Sequence, residues 1–379
     1  MKTTALCLRT AFAITALYAL TTPAALSQGL LFKAFSVTDL GQVETLGGLN
    51  NKSDVSVVGV HRISSSIQRG FLFRPSSGIR DLVPSNSNAS DPIATGVNTT
   101  AFTNDTIIGT DRSQAAFLFS QSVGAAPIPM AHAALNGSLF NGDLPLAIND
   151  SGVSVGVTNF LLPDVPGNWR MPTRWIASGA NTTVALLNTG GNLSGTPFPI
   201  PGSARDVNSA GAVVGEVNQR ACLYRDGQSP LLLAASGSAA NGISDNGFIA
   251  GFMPDGNGAM HAFIKPANSA IQLVLLPNFA LFATQRFVAS WANRINSAGI
   301  AAGSGVRADG VAFAFLWRLG SGGGWADLNT VSVLPGGVLL TEAVDINDRG
   351  DVLCYGLING QKHGFLLRPN GSPLMFRQF

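Results

Sequence analysis

The sequence predicts an all-β fold, specifically a β-propeller of seven blades with about 50 residues each. Three observations support this prediction. The chain of 379 residues contains 44 glycines but only three glutamates and five lysines, which are the residues that usually coat helix surfaces. A polar turn between two short apolar strands recurs along the chain, and an aromatic strand follows each copy. Seven copies at this spacing account for the length of the chain.

The charge composition excludes several other classes of protein. Charged residues make up 12% of the chain, about half the usual share, and 23 basic residues stand against 21 acidic ones. Such a chain has no basic stripe for nucleic acid and no charged faces for an exposed coiled coil. We therefore expect no nucleic-acid partner.

The first 27 residues have the pattern of a secretory signal peptide. Lys2 and Arg9 form a positive region before an apolar stretch, residues 11–20, which is too short to span a membrane. Small residues come directly before Gln28, so we expect cleavage there and a mature chain of residues 28–379 that forms one propeller domain. No later stretch of about 18 apolar residues occurs, so the mature chain should contain no transmembrane helix.

The first two strands of each unit are joined by a turn with a clear mechanism. An Asn or Ser accepts hydrogen bonds from the following backbone, and a glycine three residues later takes a left-handed conformation. Looser copies run from Leu49 to Gly59 and from Val97 to Gly109, and Cys354 replaces the closing glycine of the last copy. The turn glycines of the five clear copies are Gly152, Gly211, Gly247, Gly299 and Gly350.

An aromatic strand follows in every unit, and a fourth short strand often follows it. Four short strands per unit match a propeller blade, with the aromatic side chains filling the space between sheets. The alternative is an open solenoid of stacked sheets, because repeats alone do not prove ring closure. The aromatic strands include Gly70–Phe73, Ala116–Phe119, Thr173–Trp175, Ala221–Tyr224, His261–Ile264, Ala314–Trp317 and His363–Leu366.

Two segments compete to close the ring. The stretch Phe35–Gly41 contains an Asp-Leu pair like that of a fourth strand, although no unit precedes it. It could complete the last blade, where Pro373–Met375 is the competing outer strand. We expect the N-terminal stretch to close the ring.

These units resemble the HAF family of bacterial extracellular repeats. The resemblance rests on the Ile-Asn-x-x-Gly turns, on His261-Ala262-Phe263 and His363-Gly364-Phe365, and on the Asp-Leu-Gly and Leu-Gly-Gly elements of residues 39–48. It covers essentially the whole mature chain, while Ser244, Cys354 and the degenerate first units depart from it. The resemblance implies a propeller-like fold and an exported bacterial protein, extracellular or periplasmic. It implies no activity.

The best candidates for ligand binding are polar residues just before the repeated turns. The first strand of a blade usually lines the central channel, so these side chains should face it. Arginines and aspartates there could bind a polar ligand, or they could only compensate one another in a solvated channel. The candidates are Arg205, Asp206, Asn241, Asn293, Arg294 and Asp345.

No catalytic, cofactor or metal motif is present in the sequence. His261 and His363 occupy equivalent positions in different units, so we interpret them as structural residues of the aromatic strand rather than as a metal pair. We expect Cys222 and Cys354, which lie in different units, to remain unpaired. Trp169 and the segment Phe279–Trp291 could grip a ligand or could bury their rings against the blades.

Two classes of function remain open. The first is an exported, non-catalytic binding or scaffold propeller whose partner is unknown, an extracellular polysaccharide or a protein being possible. The second is a propeller glycosidase or lyase acting on a polymer. Such an enzyme needs two facing carboxylates, for which Asp206 and Asp345, in blades 4 and 7, are the best pair that the sequence offers. We favour binding, because no acid–base set converges by spacing.

Overall fold

A computed structural model describes the chain from residue 33 to residue 376 with several gaps. Nearly all of the described regular structure is β-strand, and it includes one helix of a single turn, α1 (Leu328–Val331). The predicted signal peptide and the cleavage site before Gln28 lie outside the described residues. The described ranges are 33–62, 68–82, 93–98, 105–110, 116–120, 128–136, 138–162, 168–178, 181–192, 198–267, 269, 274–275, 287–319 and 324–376.

The strands form seven antiparallel four-stranded blades in chain order within the described ranges. The first strand, β1 (Phe35–Leu49), contributes its second half to blade 1 and its first half to blade 7. Blade 1 adds β2 (Val57–Arg62), β3 (Gln68–Arg74) and β4 (Gly78–Asp81). Blade 2 contains β5 (Ile93–Val97), β6 (Thr106–Thr110), β7 (Ala116–Ser120) and β8 (Ile128–Pro129). Blade 3 contains β9 (Leu139–Ile148), β10 (Val153–Leu161), β11 (Asn168–Ser178) and β12 (Asn181–Leu186).

The remaining blades repeat the same order from the inner to the outer strand. Blade 4 contains β13 (Gly202–Val207), β14 (Val213–Val217), β15 (Arg220–Arg225) and β16 (Gln228–Ser236). Blade 5 contains β17 (Ala239–Ile243), β18 (Ile249–Pro254), β19 (Met260–Lys265) and β20 (Val274–Leu275). Blade 6 contains β21 (Phe287–Ile295), β22 (Ile300–Arg307), β23 (Ala312–Arg318) and β24 (Gly324–Asp327). Blade 7 contains β25 (Val338–Ile346), β26 (Val352–Ile358) and β27 (Gln361–Pro369).

The seven inner strands form a closed ring around a central channel. Each inner strand contacts the inner strand of the next blade, and β25 of blade 7 contacts β1 of blade 1. An open solenoid would leave its first and last units apart. The predicted propeller is therefore confirmed, and its solenoid alternative is excluded.

The N-terminal stretch closes the ring, as the sequence predicted. The first half of β1 pairs antiparallel with β27, from Phe35 opposite Pro369 to Gln42 opposite His363. The C-terminal stretch from 373 to 375 forms no strand. Because one continuous strand belongs to both the first and the last blade, the seam carries main-chain hydrogen bonds and exposes no inner sheet edge.

The repeated asparagines hold neighbouring blades together at one end of the channel. In blade 3, Asn149 Oδ1 accepts hydrogen bonds from the amides of Ser151 and Val153, at 3.1 and 2.9 Å. Its Nδ2 donates to the carbonyl of Asn208 in blade 4, at 2.8 Å. The same donation runs from blade to blade, including Asn347 Nδ2 to the Asn50 carbonyl across the seam. We call this set the asparagine belt: Asn50, Asn98, Asn149, Asn208, Asn296 and Asn347.

Blade 5 carries Ser244 in place of the belt asparagine. Two residues, Ser244 and Asn246, together make the turn contact and the contact between blades that one asparagine makes elsewhere. The Ser244 hydroxyl accepts from the Phe248 amide at 3.0 Å, which preserves the turn. Asn246 Nδ2 donates to the Ser297 carbonyl of blade 6 at 2.6 Å, which restores the link between blades. The departure of Ser244 from the repeat pattern therefore costs the ring no contact between blades.

Two sets of glycines are required for different physical reasons. The five turn glycines have φ between 70° and 85°, which confirms the predicted left-handed conformation. The closing glycines instead lie against the inner strand, where a Cβ on Gly303 would come within 2.0 Å of the Trp291 carbonyl oxygen. In blade 7 this close approach moves to Gly356, whose Cβ would lie 2.8 Å from the Leu339 oxygen, and an extra register shift after Leu340 accompanies it. Because the close approach to the inner strand occurs at Gly356 instead of at residue 354, position 354 can carry the cysteine side chain.

The core lies between adjacent sheets and is filled by the aromatic third strands. Trp175, Phe263, Trp317 and Phe365 are fully buried. Burying one such side chain contributes about 1.5–3 kcal/mol, so these positions account for the aromatic strand of each repeat. Cys222 and Cys354 are buried free thiols, as expected. The described part of the chain has no helix with the length and apolarity needed to cross a membrane.

Candidate functional site

Every inner strand contains a β-bulge at the same place. The pairing of inner and second strands skips one residue three positions before the turn, for example between Ala204 and Asp206 in blade 4. A bulge bends the strand and redirects the side chain of the extra residue. All seven extra residues line the channel, and we call them the bulge ring: Gly47, Thr95, Leu146, Arg205, Asn241, Asn293 and Val344.

The bulge ring surrounds a cavity of about 510 Å³, which we call the wide cavity. Its wall is asymmetric, because Arg205, Asn241 and Asn293 face it from blades 4 to 6 while small or aliphatic bulge residues face it from the other blades. Among the described residues, three arginines and no carboxylate line it. The lining residues outside the bulge ring are Thr45, Leu46, Ile93, Ala94, Leu144, Arg170, Ser203 and Arg294.

Arg205 is held in place by three separate contacts. Its Nη1 donates to Asn241 Oδ1 at 2.9 Å, and its Nε donates to the Ser203 hydroxyl at 3.3 Å. An ion pair joins its Nη2 to Glu216 Oε1 at 3.3 Å. A guanidinium group carries five N–H donors, so this one is fixed in orientation and still has donors to offer to the cavity.

The two asparagines extend this network around the channel to blade 7. Asn241 Nδ2 donates to the Ala292 carbonyl at 2.9 Å, and Arg294 Nη1 donates to the Asn241 carbonyl. Asn293 Nδ2 donates to Glu342 Oε1 at 3.0 Å and to the Ala343 carbonyl at 2.9 Å. Polar contacts thus join one blade to the next along the whole polar side of the wide cavity.

Asp206 and Asp345 occupy equivalent positions, one residue after the bulge, and each links its blade to the next. Asp206 Oδ2 accepts from the Ile243 amide at 2.8 Å, and Asp345 Oδ2 accepts from the Leu49 amide at 3.0 Å. Neither aspartate is among the residues that line the wide cavity. Their first role is therefore structural.

Arg294 lies between these two carboxylates and interacts with both. Its Nε lies 3.9 Å from Asp345 Oδ1. Burial raises the pKa of Asp345 to about 6, and the nearby Arg294 only partly opposes this rise. Burial likewise raises the pKa of Asp206. For Arg294 itself burial lowers the pKa, but the two aspartates outweigh burial and leave the pKa above its usual value.

The structure therefore brings all six predicted residues into one region. Arg205, Asn241, Asn293 and Arg294 line the wide cavity, while the two aspartates lie behind it. Sequence reasoning placed these residues in the channel but missed Arg170, which reaches the cavity from the third strand of blade 3. It also missed the bulge, because no residue type marks a bulge at this position.

The opposite end of the channel has a different character. It holds a cavity of about 160 Å³ that is lined by every asparagine of the belt except Asn208 and by acidic turn residues. No described lysine or arginine lines it. Asp245 Oδ1 accepts from the Ser209 amide at 2.8 Å, and Asp348 Oδ1 accepts from the Ser297 amide at 2.7 Å. These carboxylates are thus used to join neighbouring turns.

Each histidine is paired with an aspartate. The nitrogen–oxygen distances are 2.8 Å for His61–Asp81, 2.6 Å for His132–Asp143, 3.2 Å for His261–Asp255 and 3.0 Å for His363–Asp39. His261 and His363 lie on the third strands of blades 5 and 7, in agreement with a structural role. Among the described residues, no three His, Cys, Asp or Glu side chains are grouped as metal ligands would be.

Of the aromatic residues that the sequence suggested for ligand binding, the described Trp169 and Trp291 do not line the wide cavity. Trp169 is 8% exposed, and its Nε1 donates to the Pro199 carbonyl at 3.1 Å, so its ring is buried against the blade. Trp291 is partly buried on β21. The stretch 279–286 lies outside the described residues.

Comparisons with known proteins identify the fold only. No family model matches the chain, and no curated protein matches it. A solved puromycin hydrolase mutant is similar, with a TM-score of 0.51 and 12% identity over 85% of this chain and 53% of that one. The chain thus spans about half the length of that protein.

Two further solved structures are similar over nearly their whole length. The β-propeller domain of the Trilobed protease from Pyrococcus furiosus has a TM-score of 0.46 and 8% identity, over 87% of this chain and 97% of that one. The BP39L lectin from Burkholderia pseudomallei has a TM-score of 0.46 and 11% identity, over 91% and 98%.

Proposed function

We propose that this protein is an exported, non-catalytic binding propeller whose ligand enters the wide cavity. The observation that carries the proposal is the cavity itself. Its volume of about 510 Å³ is within the roughly 300–1,000 Å³ typical of small-molecule sites, and several polar side chains converge on it. The signal-peptide pattern of residues 1–27 and the resemblance to HAF repeats support export.

The network behind the cavity favours binding over catalysis. An acid–base glycosidase presents two carboxylates to the bond that it cleaves. Asp206 and Asp345 instead accept hydrogen bonds from main-chain amides of the next blade, and neither lines the wide cavity. The described residues that do line the wide cavity carry mainly hydrogen-bond donors and aliphatic side chains, which can hold a ligand but do not supply a pair of carboxylates for acid–base chemistry.

The proposal is tested by closing the cavity. The mature protein, residues 28–379, is screened on glycan and peptide arrays and against small-molecule mixtures, with bound ligands identified by mass spectrometry. Leu146→Trp places a large ring in the cavity from the bulge ring, and we expect it to abolish binding. Val333→Trp is the matched control, because Val333 is 56% exposed and stands outside the lining.

Three outcomes would contradict the proposal. Ligand binding that survives Leu146→Trp would place the binding site elsewhere. Release of a modified product from a bound ligand would favour the enzyme alternative. N-terminal sequencing of material from outside the cytoplasm should begin at Gln28, and retention of Met1 would refute export through this signal peptide.

A further inference from the structure

We infer that the ligand of the wide cavity is a small organic carboxylate that carries an aliphatic group. This inference rests on the proposed binding function and adds the chemical class of the ligand. It is carried by the charge of one wall of the wide cavity and by the aliphatic character of the other.

Three guanidinium groups line the cavity, and we call them the charged wall. Arg205 and Arg294 come from blades 4 and 6, and Arg170 comes from the third strand of the neighbouring blade 3. The carboxylates that balance two of them do not line the cavity: Glu216 pairs with Arg205 at 3.3 Å, and Asp345 lies 3.9 Å from Arg294. Their negative charge therefore lies behind the wall, while the N–H donors remain on its surface.

Arg170 has no such partner within the described residues. Its side chain is exposed on β11, and no hydrogen bond or ion pair joins it to another described residue. Arg170 therefore lines the same cavity as two oriented arginines but has no described partner of its own. Such a side chain is suited to binding an anionic ligand. The planar guanidinium fork matches the two oxygens of a carboxylate, so such a contact is both strong and directional.

The rest of the lining is mainly aliphatic, and we call it the aliphatic wall: Ile93, Leu144, Leu146 and Val344. Among the described residues, no aromatic side chain lines the cavity. An alkyl group is removed from water on such a surface, whereas an aromatic ligand finds no described ring to stack on. The two walls together fit a molecule with a carboxylate at one end and an alkyl group at the other.

The test is isothermal titration calorimetry on the mature protein with matched probes. Hexanoate and N-acetyl-leucine carry both features, hexanamide lacks the charge, acetate lacks the alkyl chain, and hexyl phosphate replaces the carboxylate. We expect hexanoate or N-acetyl-leucine to bind at least tenfold more tightly than hexanamide, since hexanamide lacks the charge-assisted hydrogen bonds. We expect the same factor relative to acetate, since acetate lacks the alkyl chain that the aliphatic side chains would bury.

Two variants separate the two walls. Arg170→Gln should weaken hexanoate binding at least tenfold. Its stability should be unchanged, because no described contact depends on this side chain. Arg225→Gln, an exposed arginine of β15 outside the lining, is the matched control and should bind as the wild type does. Leu146→Ser should weaken hexanoate binding while leaving the affinity for acetate unchanged.

The outcomes distinguish this inference from the proposed function. Equal affinity for hexanoate and hexanamide would overturn the inference that the ligand is a carboxylate. An unchanged affinity of Arg170→Gln for hexanoate would overturn it as well. Tighter binding of hexyl phosphate would overturn it in favour of a phosphate. A neutral ligand that is lost in Leu146→Trp would overturn this inference but leave the binding function intact. Failure of every ligand in both screens would overturn both.

Discussion

Replacing Asn296 tests whether the asparagine belt joins the blades. Asn296 is 4% exposed, and its side chain makes three hydrogen bonds. Its Oδ1 accepts from the amides of Ala298 and Ile300 at 3.1 and 3.0 Å, and its Nδ2 donates to the Asn347 carbonyl of blade 7 at 3.1 Å. The first two bonds shape the turn, and the third links blade 6 to blade 7.

Two substitutions separate these contributions. Asn296→Ser reproduces the residue found at Ser244, whose hydroxyl keeps the turn by accepting from the Phe248 amide. It should lose mainly the bond between blades, at a cost of about 1 kcal/mol. Asn296→Ala also removes the acceptor of the turn. We expect it to cost about 2–3 kcal/mol, since exposed Ala298 can bond to water but the Ile300 amide cannot do so as easily.

The measurement is urea unfolding followed by circular dichroism, with free energies compared among variants. Asn257→Ala is the control, because Asn257 is an exposed turn residue whose side chain makes no described bond, and it should stay within about 0.5 kcal/mol of the wild type. Equal costs for the Ser and Ala variants would mean that the turn acceptor contributes nothing. An unchanged stability in Asn296→Ala would refute the belt itself.

Three further predictions follow from the turns, the seam and the buried carboxyls. Gly152→Val should cost about 1–3 kcal/mol because φ at this glycine is 80°, whereas Gly256→Val should be nearly neutral; equal melting temperatures would refute the turn register. Deleting residues 28–42 should lower the melting temperature and cause aggregation on gel filtration, since it exposes the edge of β27; a monomer of full stability would refute closure by the N-terminus. Because the pKa of Asp345 is raised to about 6, the folded protein holds this proton more tightly than the unfolded chain, and stability falls as pH rises from about 4 to about 6. Asp345→Asn should remove about 3 kcal/mol of that fall in pH-dependent urea unfolding, and an identical pH profile would refute the burial.

The parts of the fold that sequence predicts are those with a strict local requirement. A left-handed turn needs a glycine such as Gly299, and an Asx turn needs an oxygen such as that of Asn296, so both leave a repeated mark. The closing stretch Phe35–Gly41 is visible because it resembles a fourth strand that lacks its own unit. The direction in which each belt asparagine donates is invisible in the sequence, because it depends on the neighbouring blade.

The candidate site is predicted in part, for a related reason. Arg205 and Asp345 were both placed in the channel from their position before the turn. The sequence could not show that the bulge turns Arg205 into the cavity while the next residue, Asp206, accepts a hydrogen bond from the Ile243 amide of the following blade. Arg170 was missed because it comes from a third strand, whose residues the repeat pattern assigns to the core.

The variation within the chain itself separates the positions that build the ring from those available for ligand. Six of the seven units carry an asparagine at the belt position, because every turn there makes the same bonds. Three residues earlier, the bulge ring ranges from glycine at 47 to arginine at 205. No side-chain type is common to these positions, because a Cβ at Gly47 would lie 2.7 Å from the Ala94 oxygen whereas Arg205 extends along the cavity. The ring as a whole is therefore compatible with different chemistry on different blades. Because the polar members are adjacent on blades 4 to 6, a ligand would meet one charged wall and one aliphatic wall.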